Sequence, residues 1–171
     1  MEAHRPGAML MATLYPENIP AELKRGLQWT VWKKETNREG KPAKVPYRID
    51  NARAKSNWPA TWCNFSTAFE AYQNTDGVFD GICWMLPIAP EDIIFIDIDH
   101  CIKDGVIEPW AQAIVDRFNS YTERSQSGNG LHILIKGQKP FKRCRKMGSP
   151  YEIYDCLRAC FLTGDVVGEC K

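Results

Sequence analysis

Hydrophobic and polar residues alternate in the first part of the chain in the way typical of strands. The segment 28–33 alternates, and after a turn at 34–41 a second alternating segment follows at 44–48. We therefore predict a hairpin, whose second strand lies at a sheet edge because Pro46 has no N–H to donate to a neighbour. One helical turn is expected just before this hairpin, at 19–24.

Apolar residues recur at helical spacing in two further segments. The first segment contains Phe65, Ala68, Phe69 and Tyr72, which we expect to pack in the core rather than to stack on a partner. The second is the segment 108–118, where Pro109 suits the first turn and the predicted inner face comprises Ile114, Val115 and Phe118.

Five other segments are predicted to be strands: 79–86, 93–98, 131–136, 151–155 and 161–167, the last of them interrupted at Gly164. The run that begins at Ile93 is short, apolar and β-branched, which indicates a central strand buried on both faces. Few helices and at least six short strands, without repeats, predict an α+β fold.

The composition narrows the class of protein. A hydrophobic fraction of 44% and a charged fraction of 25% are those of a globular protein, and 171 residues suffice for one domain with a core. The net charge of +1 gives no overall positive field, so any nucleic-acid site must be a local basic patch. No apolar run approaches the ~20 residues of a membrane helix, and no signal peptide is recognisable, so we expect a cytoplasmic protein without a membrane partner.

The two ends of the chain differ in character. Residues 1–18 are expected to be a flexible leader, because prolines and a glycine leave no clear period there, and residues 19–171 are expected to form the domain. The seven cysteines are an odd number without a signal peptide, which favours reduced thiols over disulfides. Cys156, Cys160 and Cys170 cluster late, but no C-x-x-C pair or flanking histidine favours zinc.

Two aspartates end the central predicted strand. Strand alternation places Asp97 and Asp99 on the same side, with Ile98 pointing to the other. Two such carboxylates repel each other unless a cation lies between them, and Mg²⁺ is typically held by carboxylates together with substrate phosphates. The alternative is that both acids cap the strand and face solvent.

A glycine-rich segment and a later glutamate add to these acids. Gly128 and Gly130 would let backbone N–H groups and the Ser127 hydroxyl turn toward an anion, just before His132; a simple hairpin turn is the alternative. Glu152 lies in an alternating aromatic segment, where burial would need a cation or hydrogen bond, although it could also be an exposed strand residue. Three carboxylates with such a loop suit metal-assisted phosphoryl or nucleotidyl transfer by two ions.

These motifs resemble those of the archaeo-eukaryotic primase superfamily, in its phage and plasmid primase–polymerase branch. The first family motif, D-x-D at a strand end, corresponds to Asp97-Ile98-Asp99; the second, S-G-x-G-x-H, to Ser127-Gly128-Asn129-Gly130-Leu131-His132; and the third, an acid in an apolar strand, to Glu152. Shorter similarities lie at 28–33, 40–47, 61–62, 79–82 and 162–164, so that the resemblance covers about residues 19–165.

The resemblance implies an RRM-like antiparallel or mixed sheet with helices behind it. It implies that Asp97, Asp99 and Glu152 are catalytic ligands of Mg²⁺ or Mn²⁺, and that the nucleotide triphosphate is bound by Ser127, Gly128, Gly130, His132 and Arg158. The implied activity is template-dependent nucleotidyl transfer, as a DNA primase and polymerase in phage or plasmid replication. Its partners would be single-stranded DNA template, primer, dNTP or NTP, and a replicative helicase. We also expect residues 19–171 to be a catalytic domain that is cut short at its C-terminal end, because family members continue into further sheet and a helical domain.

A basic cluster is the expected template contact. It comprises Lys142, Arg143, Arg145 and Lys146. The alternative is a solvated loop there, with the template held elsewhere, by Lys33, Lys41 and Lys44.

Other protein classes agree less well with the sequence. A rolling-circle nuclease needs two histidines flanking one apolar residue, and the segment around His132 has one; a phosphatase with an aspartate nucleophile usually has a hydroxyl residue where Cys101 stands. The remaining alternative is a catalytically weak nucleic-acid-binding module of a larger replication protein. Three converging acids argue against it, because they would repel DNA phosphates in the absence of metal.

Overall fold

The computed structural model describes residues 13–86, 92–139 and 149–168. In these ranges the helices are α1 (Ala21–Lys24), α2 (Phe65–Asn74) and α3 (Pro109–Phe118), with short 3-10 turns at Pro16–Asn18 and Pro59–Thr61. The strands are β1 (Trp29–Thr36), β2 (Pro42–Tyr47), β3 (Gly81–Met85), β4 (Ile93–Ile98), β5 (Ile102–Lys103), β6 (Val106–Ile107), β7 (Thr122–Arg124), β8 (Leu131–Lys136), β9 (Tyr151–Tyr154) and β10 (Ala159–Cys160). The predicted α+β class is confirmed.

The sheet that positions the site has the strand order β7-β8-β4-β9, and all its pairings are antiparallel. Since β4 and β7 are both antiparallel to β8, they run parallel to each other and are joined through α3, with β8 inserted between them. This is the split βαβ arrangement of RRM-like and ferredoxin-like sheets. The predicted RRM-like sheet is therefore confirmed, in its antiparallel form.

The other large sheet has the order β10-β3-β1-β2. The β1–β2 hairpin forms as predicted, and β2 is an edge strand, the position where Pro46 leaves no inner ladder bond unmade. The short β5 and β6 form a separate two-stranded sheet.

The core lies on both sides of β4. Between the two large sheets, Phe95 packs with a cluster that contains Trp29, Val31, Ile82, Trp84, Leu134 and, from α2, Ala68. On the opposite face of β4, the isoleucines at 94, 96 and 98 pack with residues of β8 and α3, among them Leu131, Ile133, Ala111, Ile114 and Val115. The central strand is thus buried on both faces, as its composition predicted, and Asp97 shares the inter-sheet face with Phe95.

Two details differ from the predictions. Phe118 is 38% exposed and not on an inner face, because α3 ends there and Asn119 caps it with a left-handed backbone. The segment 161–167 is not a strand; within it only Val166 forms an isolated bridge, to Glu123. Gly164 has φ +70°, and the backbone N–H groups of Thr163 and Gly164 turn inward to a carboxylate instead of to a ladder.

Part of the predicted leader lies against the domain. The backbone N–H of Tyr15 donates to the Thr163 carbonyl (2.8 Å), the Asn18 side chain donates to the Gly164 carbonyl (3.0 Å), and Leu14 packs on the inter-sheet core. Residues 1–12 of that leader lie outside the described residues. In the described part of the chain, no helix has the length and hydrophobicity required to cross a bilayer.

Candidate active site

Four ionisable side chains form a row across the RRM-like sheet. In the strand register, Glu123 of β7 is opposite His132 of β8, His132 is opposite Asp97 of β4, and Asp97 is opposite Glu152 of β9. Directly opposed residues of antiparallel strands project to the same face. All four side chains therefore share the face that is turned toward the other sheet.

His132 is held from several directions in the middle of this row. Its Nδ1 lies 2.9 Å from Glu123 Oε1, and its Nε2 lies 3.9 Å from Asp97 Oδ1. The Phe95 ring packs against the imidazole at a centroid distance of 5.0 Å. With a side chain only 5% exposed, His132 has little room to turn.

Glu123 ends the row inside the protein. Its side chain is 0% exposed, and its carboxylate accepts hydrogen bonds from the Gly164 N–H (2.7 Å), the Thr163 N–H (3.0 Å) and the Tyr121 hydroxyl (2.6 Å). No role was predicted for this residue from the sequence. The one local signal was a glutamate in a short alternating segment ahead of the glycine-rich motif, but its backbone partners lie 40 residues or more further along the chain.

Arg158 balances the charges at the other end of the row. Its Nη2 lies 3.4 Å from Asp97 Oδ2 and 4.0 Å from Glu152 Oε2, and its guanidinium lies over the Tyr154 ring at 4.2 Å. The Tyr154 hydroxyl donates to the Glu152 carboxylate. Burial, reinforced by this hydrogen bond, raises the pKa of Tyr154, so the phenol stays protonated and remains a donor.

The glycine-rich segment is a hairpin turn whose serines also face the candidate site. It joins β7 to β8, and Gly128, at φ +75°, donates its N–H to the Ser125 carbonyl (2.8 Å). A Cβ at Gly130 would meet the Ile98 carbonyl oxygen at 2.8 Å, so the turn approaches the end of β4 closely. The hydroxyls of Ser125 and Ser127 are 3.0 Å apart. The glycine-rich segment therefore forms the hairpin turn that was the alternative prediction. The same turn also lies beside the aspartates at the end of β4.

A cleft of about 820 Å³ lies between the two sheets at this face. Asp97, Asp99, His132 and Arg158 line it on one side, with Ser125 and Ser127 at the hairpin. Asp99 follows β4 and is exposed. The facing wall includes Lys44, Lys55, Ala159 and Phe161.

Lys44 adds a cation to the wall opposite the aspartates. Its Nζ donates to Gln126 Oε1 (2.7 Å) and lies 5.3 Å from the centre of the Phe161 ring. Desolvation lowers the pKa of Lys44, while the charges of Asp97 and Asp99 oppose this shift.

The predicted metal ligands share one region but do not enclose a site ready for an ion. Among residues 13–86, 92–139 and 149–168, no three carboxylate, imidazole or thiol groups are close enough to hold a metal. The Arg158 guanidinium lies against both Asp97 and Glu152. Carboxylate oxygens facing a cleft have the chemistry that Mg²⁺ and Mn²⁺ prefer, so the donor set fits these ions once the guanidinium exchanges its partners.

Two predicted features fall wholly or partly outside the described residues. The basic cluster Lys142, Arg143, Arg145 and Lys146 lies outside them, although its neighbour Lys139, only 4% exposed, pairs with Asp155 at 2.9 Å. Of the late cysteines, Cys156 and Cys160 are not disulfide-bonded within the described residues, and Cys170 lies outside them. Burial raises the pKa of the Cys160 thiol, which keeps it protonated.

A comparison with known proteins shows what this chain is similar to. No family model matches the chain. The chain is 33% identical, over 157 residues, to the DNA primase-polymerase of Nitratiruptor phage NrS-1. The match covers 86% of this chain, which spans only 21% of the length of that relative. It confirms the resemblance seen in the three motifs: over most of its length the chain is similar to part of a phage primase-polymerase.

Proposed function

We propose that the chain is a nucleotidyltransferase that adds nucleotides to a primer or starts a new strand on a DNA template, by a two-metal mechanism. The observation that supports this most is the shared cleft. Asp97 and Asp99 line it together with Ser127 and His132, and Glu152 stands directly opposite Asp97 on the neighbouring strand. The similarity to a phage primase-polymerase supports this activity. We further propose that it acts in phage or plasmid DNA replication inside a bacterial cell, beside a replicative helicase.

Asp97, Asp99 and Glu152 would hold Mg²⁺ or Mn²⁺. Bound there, the ions would neutralise the charge of the triphosphate and would activate the attacking hydroxyl. Until then Arg158 neutralises Asp97 and Glu152, and its side chain is 37% exposed and so is not confined. Release from these carboxylates leaves the guanidinium available to a phosphate oxygen.

The hairpin and His132 would bind the triphosphate of the incoming dNTP or NTP. Ser127 contributes a hydroxyl at the cleft, and the turn at Gly128 and Gly130 brings backbone groups to the end of β4. The Lys44 ammonium faces the same space from the other wall. We expect that His132→Ala weakens nucleotide binding more than template binding; equal losses would indicate a structural histidine.

The template would pass over cations on either side of the acids. Lys142, Arg143, Arg145 and Lys146 remain our proposed template contacts, and Lys44 and Lys55 on the described cleft wall add to them. Neutralising two of the four cluster residues should flatten the log–log salt dependence of binding, by roughly 0.7 for each single-strand phosphate that the protein no longer neutralises. An unchanged slope would indicate that the template is bound by the cleft wall and not by this cluster.

A second candidate is a nucleic-acid-binding module without catalysis. The ion pairs of Arg158 with Asp97 and Glu152 favour it specifically, because they stabilise the acids without a metal.

A primer-extension assay distinguishes the two functions. It uses labelled primer–template, dNTPs or NTPs, and Mg²⁺ or Mn²⁺. We expect extension by the wild type, loss on the order of a hundredfold or more in Asp97→Asn, and unchanged extension in the control Asp116→Asn, whose carboxylate lies on the surface of α3. Template binding without extension by the wild type would support the module; equal extension by Asp97→Asn would exclude the proposed metal site.

A further inference from the structure

Trp58 is the most exposed of the six tryptophans in the sequence. It is 55% exposed, whereas Trp29, Trp32 and Trp84 are buried and Trp62 packs against a cluster that contains Trp32. A tryptophan ring can bury a large apolar area against a ligand, and its flat π-surface favours stacking on another aromatic ring. The Trp58 ring therefore has surface available to a partner from outside the chain.

The loop that carries Trp58, residues 55–62, is fixed by hydrogen bonds. The Trp58 carbonyl accepts from the N–H (3.0 Å) and the hydroxyl (2.7 Å) of Thr61, a buried residue. The Lys55 carbonyl accepts from the Trp58 N–H (3.2 Å) and from the Trp62 indole N–H (2.8 Å). Pro59 restricts the residue before it to extended conformations, and Trp58 has φ −134°. Because the backbone is already ordered, a ligand that binds the indole would pay little to order this loop.

The same loop forms part of the cleft wall. Lys55, Ser56 and Asn57 line the cleft that also contains Asp97 and Asp99. Trp58 follows them directly and is mostly in solvent, which places its ring next to the mouth of the cleft. The Lys55 ammonium lies 5.6 Å from the centre of the indole ring. An aromatic surface and a cation are therefore adjacent where the cleft opens to solvent.

We propose that Trp58 and Lys55 bind one nucleotide of the single-stranded template as it enters the cleft. The base stacks on the face of the indole that Lys55 does not cover, and the Lys55 ammonium pairs with a neighbouring phosphate. Stacking on an aromatic side chain and pairing of phosphates with lysine are the two interactions that hold single strands without regard to sequence. The identity of the partner as template DNA rests on the proposed function.

The charges around the ring favour a nucleic-acid strand over an apolar protein surface. Lys55 contacts the ring and Lys44 lies on the same cleft wall, so a partner that docks here meets cations. The template is favoured over the incoming nucleotide because a strand must cross the mouth of the cleft to reach the aspartates, whereas a single nucleotide fits inside the 820 Å³.

Fluorescence anisotropy of a labelled primer–template tests the stacking without requiring catalysis. Trp58→Ala should bind about tenfold or more weakly, and Trp58→Phe, which keeps a ring, should stay within about threefold of the wild type. The matched control is Trp110→Ala, which removes a 37% exposed tryptophan from α3, on the face of β4 that is turned away from the cleft. Wild-type affinity in Trp58→Ala, or an equal loss in Trp110→Ala, would overturn the proposal.

The salt dependence of the same binding separates the roles of the two residues. Lys55→Gln should lower the log–log slope by roughly 0.7, the value for one single-strand phosphate contact, whereas Trp58→Ala should weaken binding at every salt concentration without changing the slope. An unchanged slope in Lys55→Gln would overturn the phosphate contact.

An abasic residue in the template shows whether the ring contacts a base. The end of the primer fixes the register, so one base at a time can be removed from the single-stranded part. At one position, the abasic template should bind the wild type about tenfold more weakly than the intact template, but should bind Trp58→Ala equally well. Equal losses in both proteins at every position would overturn the proposal.

A fluorescent mant-dATP probe with Mg²⁺ distinguishes the template from the incoming nucleotide. We expect Trp58→Ala to bind the probe as the wild type does. Weaker probe binding with unchanged primer–template affinity would assign the ring to the incoming base and overturn the template contact.

Binding and extension fail separately. A wild type that extends a primer, with a Trp58→Ala variant that binds primer–template normally, would overturn this inference and leave the proposed function intact. A wild type that binds primer–template through Trp58 but extends no primer would overturn the proposed catalysis and support the template contact.

Discussion

Glu123 and Glu152 lie at the two ends of the row of ionisable side chains and differ in burial and in the partners of their carboxylates. Each has a tyrosine two residues away that donates its hydroxyl to it, Tyr121 for Glu123 and Tyr154 for Glu152. The Glu123 side chain is 0% exposed and accepts from two backbone N–H groups, whereas the Glu152 side chain is 23% exposed and its cationic neighbour is Arg158.

The difference lies in whether the partners can leave. Backbone N–H groups in a packed segment are fixed, so the Glu123 carboxylate keeps its hydrogen-bond partners and has a structural role in the site. A guanidinium on a long, partly exposed side chain is exchangeable, so the charge of Glu152 remains available to a ligand. We expect the first glutamate to matter for stability and the second for activity.

Removal of the buried glutamate should have the largest effect. Glu123→Ala leaves the donors of Thr163, Gly164 and Tyr121 without their acceptor, which should cost about 3–5 kcal/mol in the free energy of unfolding. Urea denaturation at neutral pH measures this loss, with Glu152→Ala as the matched variant, whose cost should stay below about 1 kcal/mol. Similar losses of unfolding free energy in Glu123→Ala and Glu152→Ala would contradict the proposed difference between the two glutamates.

Loss of the exposed charge should act on catalysis. Glu152→Gln keeps the shape of the side chain and one acceptor oxygen for the Tyr154 hydroxyl but removes a proposed metal ligand, so nucleotide addition should fall on the order of a hundredfold while the unfolding free energy stays within about 0.5 kcal/mol. Primer extension and urea denaturation of the same preparation measure both. A parallel fall in the two quantities would show that Glu152 is structural.

The segment behind Glu123 can be tested without altering a charge. Gly164→Ala would force a Cβ to within 2.0 Å of the Tyr15 carbonyl oxygen at φ +70°, and should cost about 2 kcal/mol or more. The control Gly168→Ala has φ +77°, and no atom of the described residues outside its chain neighbours lies within 4 Å of the added Cβ, so only the cost of the backbone conformation, about 1 kcal/mol, applies. Equal unfolding free energies for the two variants would mean that the clash relaxes freely.

Removal of the tyrosine hydroxyls that donate to the two glutamates should have the smallest effects on stability. Tyr121→Phe removes a donor from a fully buried carboxylate, and should cost about 1 kcal/mol; Tyr154→Phe removes one from a partly exposed carboxylate, and should cost a few tenths. Thermal unfolding of both variants at one pH measures the difference. A larger loss of stability for Tyr154→Phe than for Tyr121→Phe would mean that the Glu152 carboxylate depends more on its tyrosine than the Glu123 carboxylate does.

Local patterns were sufficient for β4, β8 and β9 of the sheet that holds the site, whereas the short strand β7 was not predicted. The apolar run of β4 predicted burial on both faces, and β8 forms over the same residues, 131–136, that were predicted. Each signal lies within the strand itself, because burial and β-branching are local properties of the sequence.

The parts that were not predicted depend on distant contacts. Glu123 lies on a strand of three residues, and its pattern gives no indication that Thr163 and Gly164 will donate to it. Leu157, directly before Arg158, has φ +54°, a conformation that a leucine in the sequence does not predict. The partners of a buried charge are set by topology, and topology is only weakly encoded in any one segment.

The dependence of Glu123 on a later segment has a consequence for biosynthesis. Its backbone donors are 40 and 41 residues further along the chain, which a ribosome adding ~5–20 residues per second takes roughly 2–8 s to deliver. During that interval the carboxylate must stay hydrated, because burial without donors is too costly. The β7–β8 hairpin therefore cannot close over its own glutamate while it is being made, and the histidine at the centre of the row reaches its final orientation only after Gly164 has emerged.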